Sequence, residues 1–176
     1  VARIAIESGA NIVNDVSGLT MDKRMVEVVA SKNVPVVLMH MKGLPKTMQR
    51  KPLYNNIILE IYNFLKSQAN FAINNGVKSK NIIIDPGIGF GKTVNDNYEL
   101  LAKLKEFTKM NYPILIGTSR KSFIGEILKD SVDKRLEGTA ASIAISILNG
   151  AKIVRVHDVL EMKKVCKIVD KTMEMC

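Results

Sequence analysis

The chain has 176 residues, the length of a single domain, and its 47% hydrophobic content is enough for a buried core. Only 5% of the residues are aromatic and none is tryptophan, which argues against a stacking platform for single-stranded nucleic acid. The net charge of +9 suits anionic partners, but the lysines are scattered without forming a basic block, so no nucleic-acid partner is predicted.

Short apolar runs alternate with longer helical patterns along the chain. The first pattern is helical, ends near Gly9 and has no initiator methionine, so we expect a piece of a longer protein. Strands are predicted where valine and isoleucine make nearly continuous apolar runs, at 11–16, 34–39, 81–85, 113–117 and 152–156. Helices are predicted at 22–32, 54–75, 96–110, 122–129, 136–149 and 159–174. Asp96 and Glu99 have the spacing of a capping box at the start of the third helix.

Repeated strand–helix units predict a parallel sheet with right-handed crossovers. Either a doubly wound sheet or a (β/α)8 barrel satisfies this pattern. A barrel usually needs about 250 residues, so three further β/α units before the first residue would complete one. No linker or shift in composition divides the chain, and residues 1–176 are therefore treated as one domain.

Polar side chains follow every predicted strand at its carboxyl end. They are Asn14 and Asp15, His40, Asp85, the run from Thr118 to Ser122, and Arg155, His157 and Asp158. The carboxyl ends of parallel strands form the active face of α/β proteins. Polar side chains from the ends of five strands at one face predict an enzyme active site.

Most of these residues also have a structural interpretation. Asp85 precedes a proline and is able to cap a turn, although a carboxylate that ends an apolar strand needs a donor partner. Asp15 is expected to point away into a cap or turn. His40 fits a core position and a site position equally well, and Arg120 fits a structural ion pair. A zinc site made from His40 and His157 alone lacks ligands.

The stretch IIIDPGIGFGKT at 82–93 is a glycine loop that matches neither of two familiar phosphate-binding motifs. A P-loop requires a glycine where Pro86 stands, and a dinucleotide fingerprint requires a different glycine spacing. The alternating glycines are expected to let the backbone pass close to a flat ligand. Phe90 is the one large side chain displayed there, and an aromatic ring beside Asp85 suits an aromatic substrate.

Two further stretches carry groups that suit anions. In GTSRKSFIG, Gly117 permits close approach of a ligand, and Lys121 and Ser122 lie near a predicted helix start. In RVHD, Arg155 and His157 are two residues apart, so they share one side of a strand and together suit a phosphate. The alternative for Arg155 is an ion pair with an acid on a helix.

Taken together, these motifs resemble those of the dihydropteroate synthases. The matching stretches are in family order and cover nearly the whole chain, at 9–19, 36–49, 82–93, 114–125, 138–142 and 153–159. The resemblance implies a (β/α)8 barrel that joins 6-hydroxymethyl-7,8-dihydropterin diphosphate to p-aminobenzoate in folate synthesis and releases diphosphate. It also implies that sulfonamides compete with p-aminobenzoate.

The resemblance assigns roles to particular residues. Asp85 and Lys121 are expected to be catalytic, with Asp85 binding the pterin and stabilising the cation formed as diphosphate leaves. Lys121 is expected to lie along the pterin towards p-aminobenzoate. The remaining substrate contacts are expected from Asn14, Val16, Met39 and Gly117 for the pterin, Phe90 and Ser122 for p-aminobenzoate, and Arg155 and His157 for diphosphate. Mg2+ is expected to help neutralise the diphosphate, and no protein ligand for it is assigned.

The first three strands of the family pattern have no counterpart in this sequence. An aspartate and an asparagine of the family site, and two loops that close over that site, belong to these missing strands. The chain is therefore expected to hold about five β/α units and an incomplete site. Two alternatives remain open: a non-catalytic pterin-binding fragment and a methyltetrahydrofolate-binding methyltransferase relative. The second has no need of diphosphate ligands.

The resemblance also implies a homodimer for the full-length protein. No apolar run reaches the length of about 18 residues that a membrane span needs, and no signal peptide is recognised. The two cysteines show neither a metal-binding spacing nor a disulfide framework, which is typical of a reducing compartment. We therefore expect a cytoplasmic protein without a membrane partner.

Overall fold

The computed structural model describes residues 1–43, 48 and 52–175, so the motif predicted at 36–49 lies partly outside the described residues. The strands are β1 Val13–Asp15, β2 Val36–Met39, β3 Ile82–Asp85, β4 Ile114–Ile116 and β5 Ala151–Val154. The helices are α1 Ala2–Glu7, α2 Met25–Lys32, α3 Ile57–Asn74, α4 Val94–Ala102, α5 Ser122–Leu128, α6 Leu136–Leu148 and α7 Val159–Met173. Within the described ranges, no helix is both long and apolar enough to cross a bilayer.

The five strands form one parallel sheet in the order β1-β2-β3-β4-β5. Sequential order with a helix between neighbouring strands is the pattern of a (β/α) barrel wall, whereas a doubly wound sheet reverses its strand order. Each predicted strand is confirmed to within two residues at either end. The architecture therefore agrees with part of a barrel.

Helix starts differ from prediction where a polar side chain binds the backbone. The Asp22 carboxylate accepts a hydrogen bond from the Arg24 amide at 2.9 Å, and α2 begins only at Met25. The capping box predicted from Asp96 and Glu99 is wrong. Thr93 Oγ1 accepts from the Asp96 amide at 3.2 Å while Asp96 accepts from the Thr93 amide at 2.7 Å, so α4 begins at Val94. After Ala102 the chain continues as a 3-10 helix over Leu104–Met110.

One face of the sheet packs against the helices. The buried face of α3 consists of Ile57, Ile61, Leu65, Ala69 and Ala72. On the sheet, alternate residues meet the helices, and these are Val36, Leu38, Ile82, Ile84, Ile114 and Ile116. Burying apolar surface on this scale is the main source of stability, at about 25 cal/mol per Å² removed from water.

The opposite face of the sheet is concave and carries its own small apolar cluster, made of Val37, Ile83, Leu115 and Ile153. A flat sheet would hold β1 and β5 about 19 Å apart, four strand spacings of about 4.8 Å. Instead, Arg155 Nη1 donates a hydrogen bond to Asn14 Oδ1 at 2.8 Å, which joins the ends of the two outermost strands. The sheet therefore curves strongly around the inner cluster, as a barrel wall does.

Asp15 ends β1 and organises the turn that follows. Its carboxylate accepts from the Ser17 amide at 2.9 Å, the Ser17 hydroxyl at 2.7 Å and the Leu19 amide at 3.0 Å. The prediction that Asp15 points into a turn is confirmed, and Asn14 is left as the strand residue that faces the concave side.

Candidate active site

The layer directly above the inner apolar cluster contains the residues predicted to bind substrate. Side chains alternate between the two faces of a strand, so the residue two positions further along returns to the same face. Met39 and Asp85 are paired in register across β2 and β3, which places both at the carboxyl edge. The residues two positions beyond the concave-face positions of the five strands are Val16, Met39, Asp85, Gly117 and Arg155.

Asp85 is the centre of this layer. It is only 1% exposed, and Oδ1 accepts a hydrogen bond from the Gly87 amide at 2.8 Å. Oδ2 lies 3.6 Å from Arg155 Nη2, an ion pair longer than a hydrogen bond. Arg155 thus bridges Asp85 and Asn14 across the mouth of the curved sheet and pairs with a strand-end carboxylate rather than with a helix acid.

Opposing effects act on the charge of Asp85. Burial raises the pKa of this carboxyl above its usual range, while the Gly87 amide and the cations Lys121, Arg155 and Lys92 act to lower it. A carboxylate surrounded by three cations and one amide is suited to accept hydrogen bonds from a planar donor edge. It is also suited to meet a positive charge that develops beside it.

Lys121 lies between Asp85 and the glycine loop. Its ammonium donates to the Ile88 carbonyl and lies 4.7 Å from the centroid of the Phe90 ring. Burial lowers its pKa to about 8, against the opposing effect of Asp85. Lys121 and Phe90, predicted to share the site, are therefore in contact.

A small cavity of about 170 Å³ lies beside these residues, and it carries the groups predicted for an anion. Its lining consists of Gly117, Ser119, Lys121, Arg155, Val156 and His157. Ser119 Oγ lies 2.9 Å from His157 Nδ1 and accepts from the His157 amide at 3.1 Å. Ser119 was predicted only as one of the strand-end polar residues, without a role, although it orients His157.

The loop that carries Lys121 is held by a structural ion pair, as one interpretation of Arg120 predicted. Arg120 Nε donates to Asp158 Oδ2 at 3.0 Å, and its Nη2 pairs with Oδ1 of the same carboxylate. Arg120 has a positive φ of 57°, which is uncommon for a residue other than glycine. The Thr139 hydroxyl accepts from the Arg120 amide at 3.0 Å, so this turn is fixed on both sides.

Two glycines of the 82–93 loop make room for the protein's own backbone. Gly87 has a φ of +73°, and a Cβ atom added there would lie 1.9 Å from the His40 carbonyl oxygen. A Cβ atom on Gly91 would lie 2.1 Å from the Lys42 carbonyl oxygen. The prediction that the alternating glycines make room for a flat ligand is therefore wrong for these two positions, which make room for the segment after β2.

Three predicted residues have no side-chain hydrogen bond or ion pair with Asp85 among the contacts of the described residues. Met39 is fully buried below Gly87, Val16 is half-buried after β1, and Ser122 is exposed at the first turn of α5. Ser122 instead lines a second cavity of about 280 Å³ together with Gly89 and Lys92. Their substrate contacts stay predictions.

His40 and Lys92 are buried beneath the site. His40 packs edge to face against Phe64 with ring centroids 5.0 Å apart, which agrees with the core interpretation. Lys92 was assigned no role from the sequence, and no sequence signal showed that it is buried. Within the described residues, no cluster of three or more His, Cys, Asp or Glu side chains is placed to hold a metal ion.

Comparisons with known proteins place this site in context. A family model described as pterin binding enzyme matches residues 1–157. The dihydropteroate synthase of Synechocystis is 45% identical over 171 residues, which cover 97% of this chain and 59% of the relative. The chain thus spans about three fifths of the length of such relatives.

Solved structures show the same fold. The structure of Yersinia pestis dihydropteroate synthase with a sulfonamide drug complex superposes with a TM-score of 0.95 at 36% identity, covering 98% of this chain and 62% of that one. Xanthomonas albilineans dihydropteroate synthase with 4-aminobenzoic acid gives 0.90 at 34% identity, with coverages of 97% and 60%. The predicted similarity to this group is confirmed, and so is the partial barrel.

Proposed function

Because the chain belongs to the family of pterin-binding enzymes, we propose that it carries much of the active site of a dihydropteroate synthase. In the proposed reaction, 6-hydroxymethyl-7,8-dihydropterin diphosphate condenses with p-aminobenzoate. The bond from the pterin methylene carbon to the diphosphate oxygen breaks, a bond from that carbon to the amine nitrogen forms, and the amine loses a proton. The observation that carries the proposal is the bridge from Asn14 through Arg155 to buried Asp85.

Asp85 and Asn14 are the proposed pterin ligands. The pterin ring has a guanidine-like donor edge that matches an ionised carboxylate, and Asn14 offers both a donor and an acceptor. Departure of diphosphate leaves positive charge on the pterin methylene and ring. A buried carboxylate stabilises that charge without reorganisation, because burial removes the competing water.

The diphosphate is proposed to occupy the cavity beside Arg155 and His157. Arg155 is 44% exposed in its side chain, so its guanidinium is accessible to an anion while Asp85 holds it in place. Ser119 fixes the ring of His157, and Lys121 lines the same cavity. These donors suit the charge that accumulates on the leaving group.

The p-aminobenzoate ring is proposed to lie against Phe90 and Lys121, with Ser122 near its carboxylate. A flat aromatic acid stacks on an aromatic ring and pairs with an ammonium. The amine of p-aminobenzoate is a weak nucleophile, so the reaction depends on leaving-group departure, and no general base is assigned. One relative was solved with 4-aminobenzoic acid and another with a sulfonamide drug complex, which supports p-aminobenzoate as the class of second substrate.

We propose that Mg2+ enters this site bound to the diphosphate. The described residues do not fit a preformed metal site, because no three acidic, histidine or cysteine side chains cluster there. Mg2+ commonly binds through substrate phosphates and few protein ligands. When bound, it would neutralise part of the diphosphate charge.

The full-length protein is also proposed to be a cytoplasmic homodimer.

Diphosphate release by the purified chain tests the proposal. With the pterin diphosphate and Mg2+ present, we expect release that depends on p-aminobenzoate, and Asp85→Asn should lower it at least about a hundredfold. Asp170→Asn, which changes an exposed carboxylate on α7, is the matched control and should release diphosphate at the wild-type rate.

The alternatives predict different results. A non-catalytic pterin-binding fragment would bind the pterin diphosphate in calorimetry, lose that affinity in Asp85→Asn, and release no diphosphate. A methyltransferase relative would bind methyltetrahydrofolate with no contribution from Arg155 or His157. Absence of pterin binding by the wild-type chain would contradict the proposal itself.

A further inference from the structure

Lys92 is a buried lysine to which the proposed reaction assigns no substrate contact. It is only 3% exposed, and no carboxylate of the described residues lies within the 4.0 Å of an ion pair. A buried ammonium without a carboxylate partner is costly, so its donors need other acceptors. The hydrogen bonds that Lys92 makes with other acceptors must therefore offset the cost of burying it.

The acceptors come from two segments that both belong to the candidate site. The Lys92 ammonium donates to the Phe90 carbonyl at 3.0 Å and lies 3.1 Å from Nδ1 of His40. The His40 carbonyl, at 3.5 Å, is a weaker third acceptor. Phe90 belongs to the glycine loop after β3, whereas His40 directly follows β2. One side chain thus ties the glycine loop to the end of the neighbouring strand.

His40 is suited to be a permanent acceptor. Burial, together with the charges of Lys92 and Lys42, lowers its pKa to about 3, so the ring is neutral at physiological pH. A neutral imidazole whose Nδ1 accepts carries its proton on Nε2. The His40 ring is itself fixed by its edge-to-face contact with Phe64, so it offers Lys92 a rigid partner.

The contacts of the loop explain what this arrangement positions. Gly87 and Gly91 lie directly against the backbone of His40 and Lys42, and Tyr54 donates to the Gly91 carbonyl at 2.8 Å. Above the loop, Lys121 contacts the Ile88 carbonyl and the Phe90 ring. Phe90 is therefore held at its backbone carbonyl by Lys92 and contacted at its ring by Lys121.

We propose that Lys92 is a positioning residue, which by binding neutral His40 and the Phe90 carbonyl holds the glycine loop in the shape that the aromatic second substrate requires. This proposal rests on the proposed function for its substrate, but the loop contact itself does not. Lys92 also acts on Asp85 through its charge, because it lowers the pKa of that carboxyl. Its hydrogen bonds go to the protein itself, namely to the His40 ring and to the Phe90 and His40 carbonyls.

Hydrogen exchange tests the structural half without requiring activity. In Lys92→Met, the amides of residues 87–93 should exchange at least about tenfold faster than in the wild type, because the hydrogen bonds made by Lys92 are lost. Exchange in α6 and α7 should be unchanged. Lys103→Met, which removes an exposed lysine of a surface ion pair, is the matched control. Unchanged loop exchange, or an equal increase throughout the chain, would overturn the proposal.

Kinetics test the functional half. Lys92→Met should raise the KM for p-aminobenzoate about tenfold and leave the KM for pterin diphosphate within about threefold. His40→Leu should raise the same KM by a smaller factor, because the bond from Lys92 to the Phe90 carbonyl is retained, and the double variant should be no worse than Lys92→Met. Additive losses, or equal rises in both KM values, would contradict a positioning role. If the wild-type chain shows no turnover, the proposed function fails while the exchange result still decides on Lys92.

Discussion

At the scale of single residues, the site depends on buried groups whose charge is controlled by their surroundings. Asp85, Lys92 and His40 are all nearly inaccessible to solvent. Burial shifts the pKa of each group, and the neighbouring charges that add to or oppose this shift differ from one group to the next. Burial lowers the pKa of Lys92 to about 7, with Asp85 acting in the opposite direction. The charges at the site are thus coupled, and changing one alters its neighbours.

His40 gives a prediction about stability and pH. Its pKa falls from 6.5 to about 3 on folding, so the unfolded chain takes up a proton first as the pH drops. The free energy of unfolding is therefore unaffected by the titration of His40 above pH 6.5. It falls as the pH drops from 6.5 to about 3, because only the unfolded chain binds the proton in this range. Wild type should lose stability relative to His40→Gln at up to about 1.4 kcal/mol per pH unit in this window.

Urea unfolding of both chains at pH 7, 5.5 and 4.5 measures this difference. His157→Gln, which changes the other and exposed histidine, controls for the loss of an imidazole as such. A pH-independent difference between wild type and His40→Gln would show that His40 is not buried in its neutral form.

At the scale of elements, the curved sheet and its loops bring distant residues together. The bidentate pair of Arg120 and Asp158 ties the loop after β4 to the loop after β5, and Lys121 and His157 are their direct neighbours in sequence. The glycine loop after β3 rests on the segment after β2. Each loop of the site is therefore supported by an adjacent one.

Gly87 shows how tightly two such loops approach. In Gly87→Ala, the new methyl group would meet the His40 carbonyl and the backbone would keep a φ of +73°. We expect a loss of at least about 2 kcal/mol in the free energy of unfolding. Gly9→Ala is the matched control, because Gly9 has a φ of +105° but nothing within 4 Å of an added Cβ.

Denaturant unfolding of the two alanine variants separates backbone strain from steric overlap. Gly9→Ala should lose only the backbone term, about 1 kcal/mol. Equal losses in both variants would mean that the loop relaxes away from His40 at little cost.

At the scale of the whole molecule, one apolar groove is a candidate interface for the proposed homodimer. A groove of about 420 Å³ between α4, α5 and α6 is lined almost entirely by apolar residues, namely Tyr98, Leu101, Ala102, Phe123, Ile124, Leu128, Gly138, Ala141, Ser142 and Ile145. Ile145 and Leu148 of α6 are about half exposed beside it. Contiguous apolar surface of this kind typically marks an interaction site.

Ile145→Lys should raise the dissociation constant of the proposed homodimer at least about tenfold, because it places a charge at an apolar interface. Sedimentation velocity over a range of concentrations measures the change. Ile168→Lys, on the exposed side of α7, is the control and should leave association unchanged. A wild-type chain that stays monomeric at every concentration would contradict the proposed interface.

Local sequence patterns were enough to predict the strands and the location of the candidate site. Apolar runs of β-branched residues predicted all five strands to within two residues, because burial on both faces demands such runs. Polar residues at the strand ends, including Asp85, Arg155 and Asn14, predicted the site, since parallel strands present their carboxyl ends at one edge. Helix starts were predicted less well, as Thr93 shows. Several polar side chains near a helix start are able to cap it, and local geometry decides which of them binds the backbone.

Only the tertiary structure decided which of these residues meet. Asn14 and Arg155 are 141 positions apart and touch because the sheet curves, and curvature leaves no periodic signal in the sequence. Lys92 and His40 are 52 positions apart, and their contact depends on how closely two loops approach. Two of the glycines predicted to make room for a ligand, Gly87 and Gly91, instead face the backbone of the neighbouring segment after β2. Burial and pairing of this kind depend on contacts between distant segments, whereas periodicity reports only on the nearest turns of the chain.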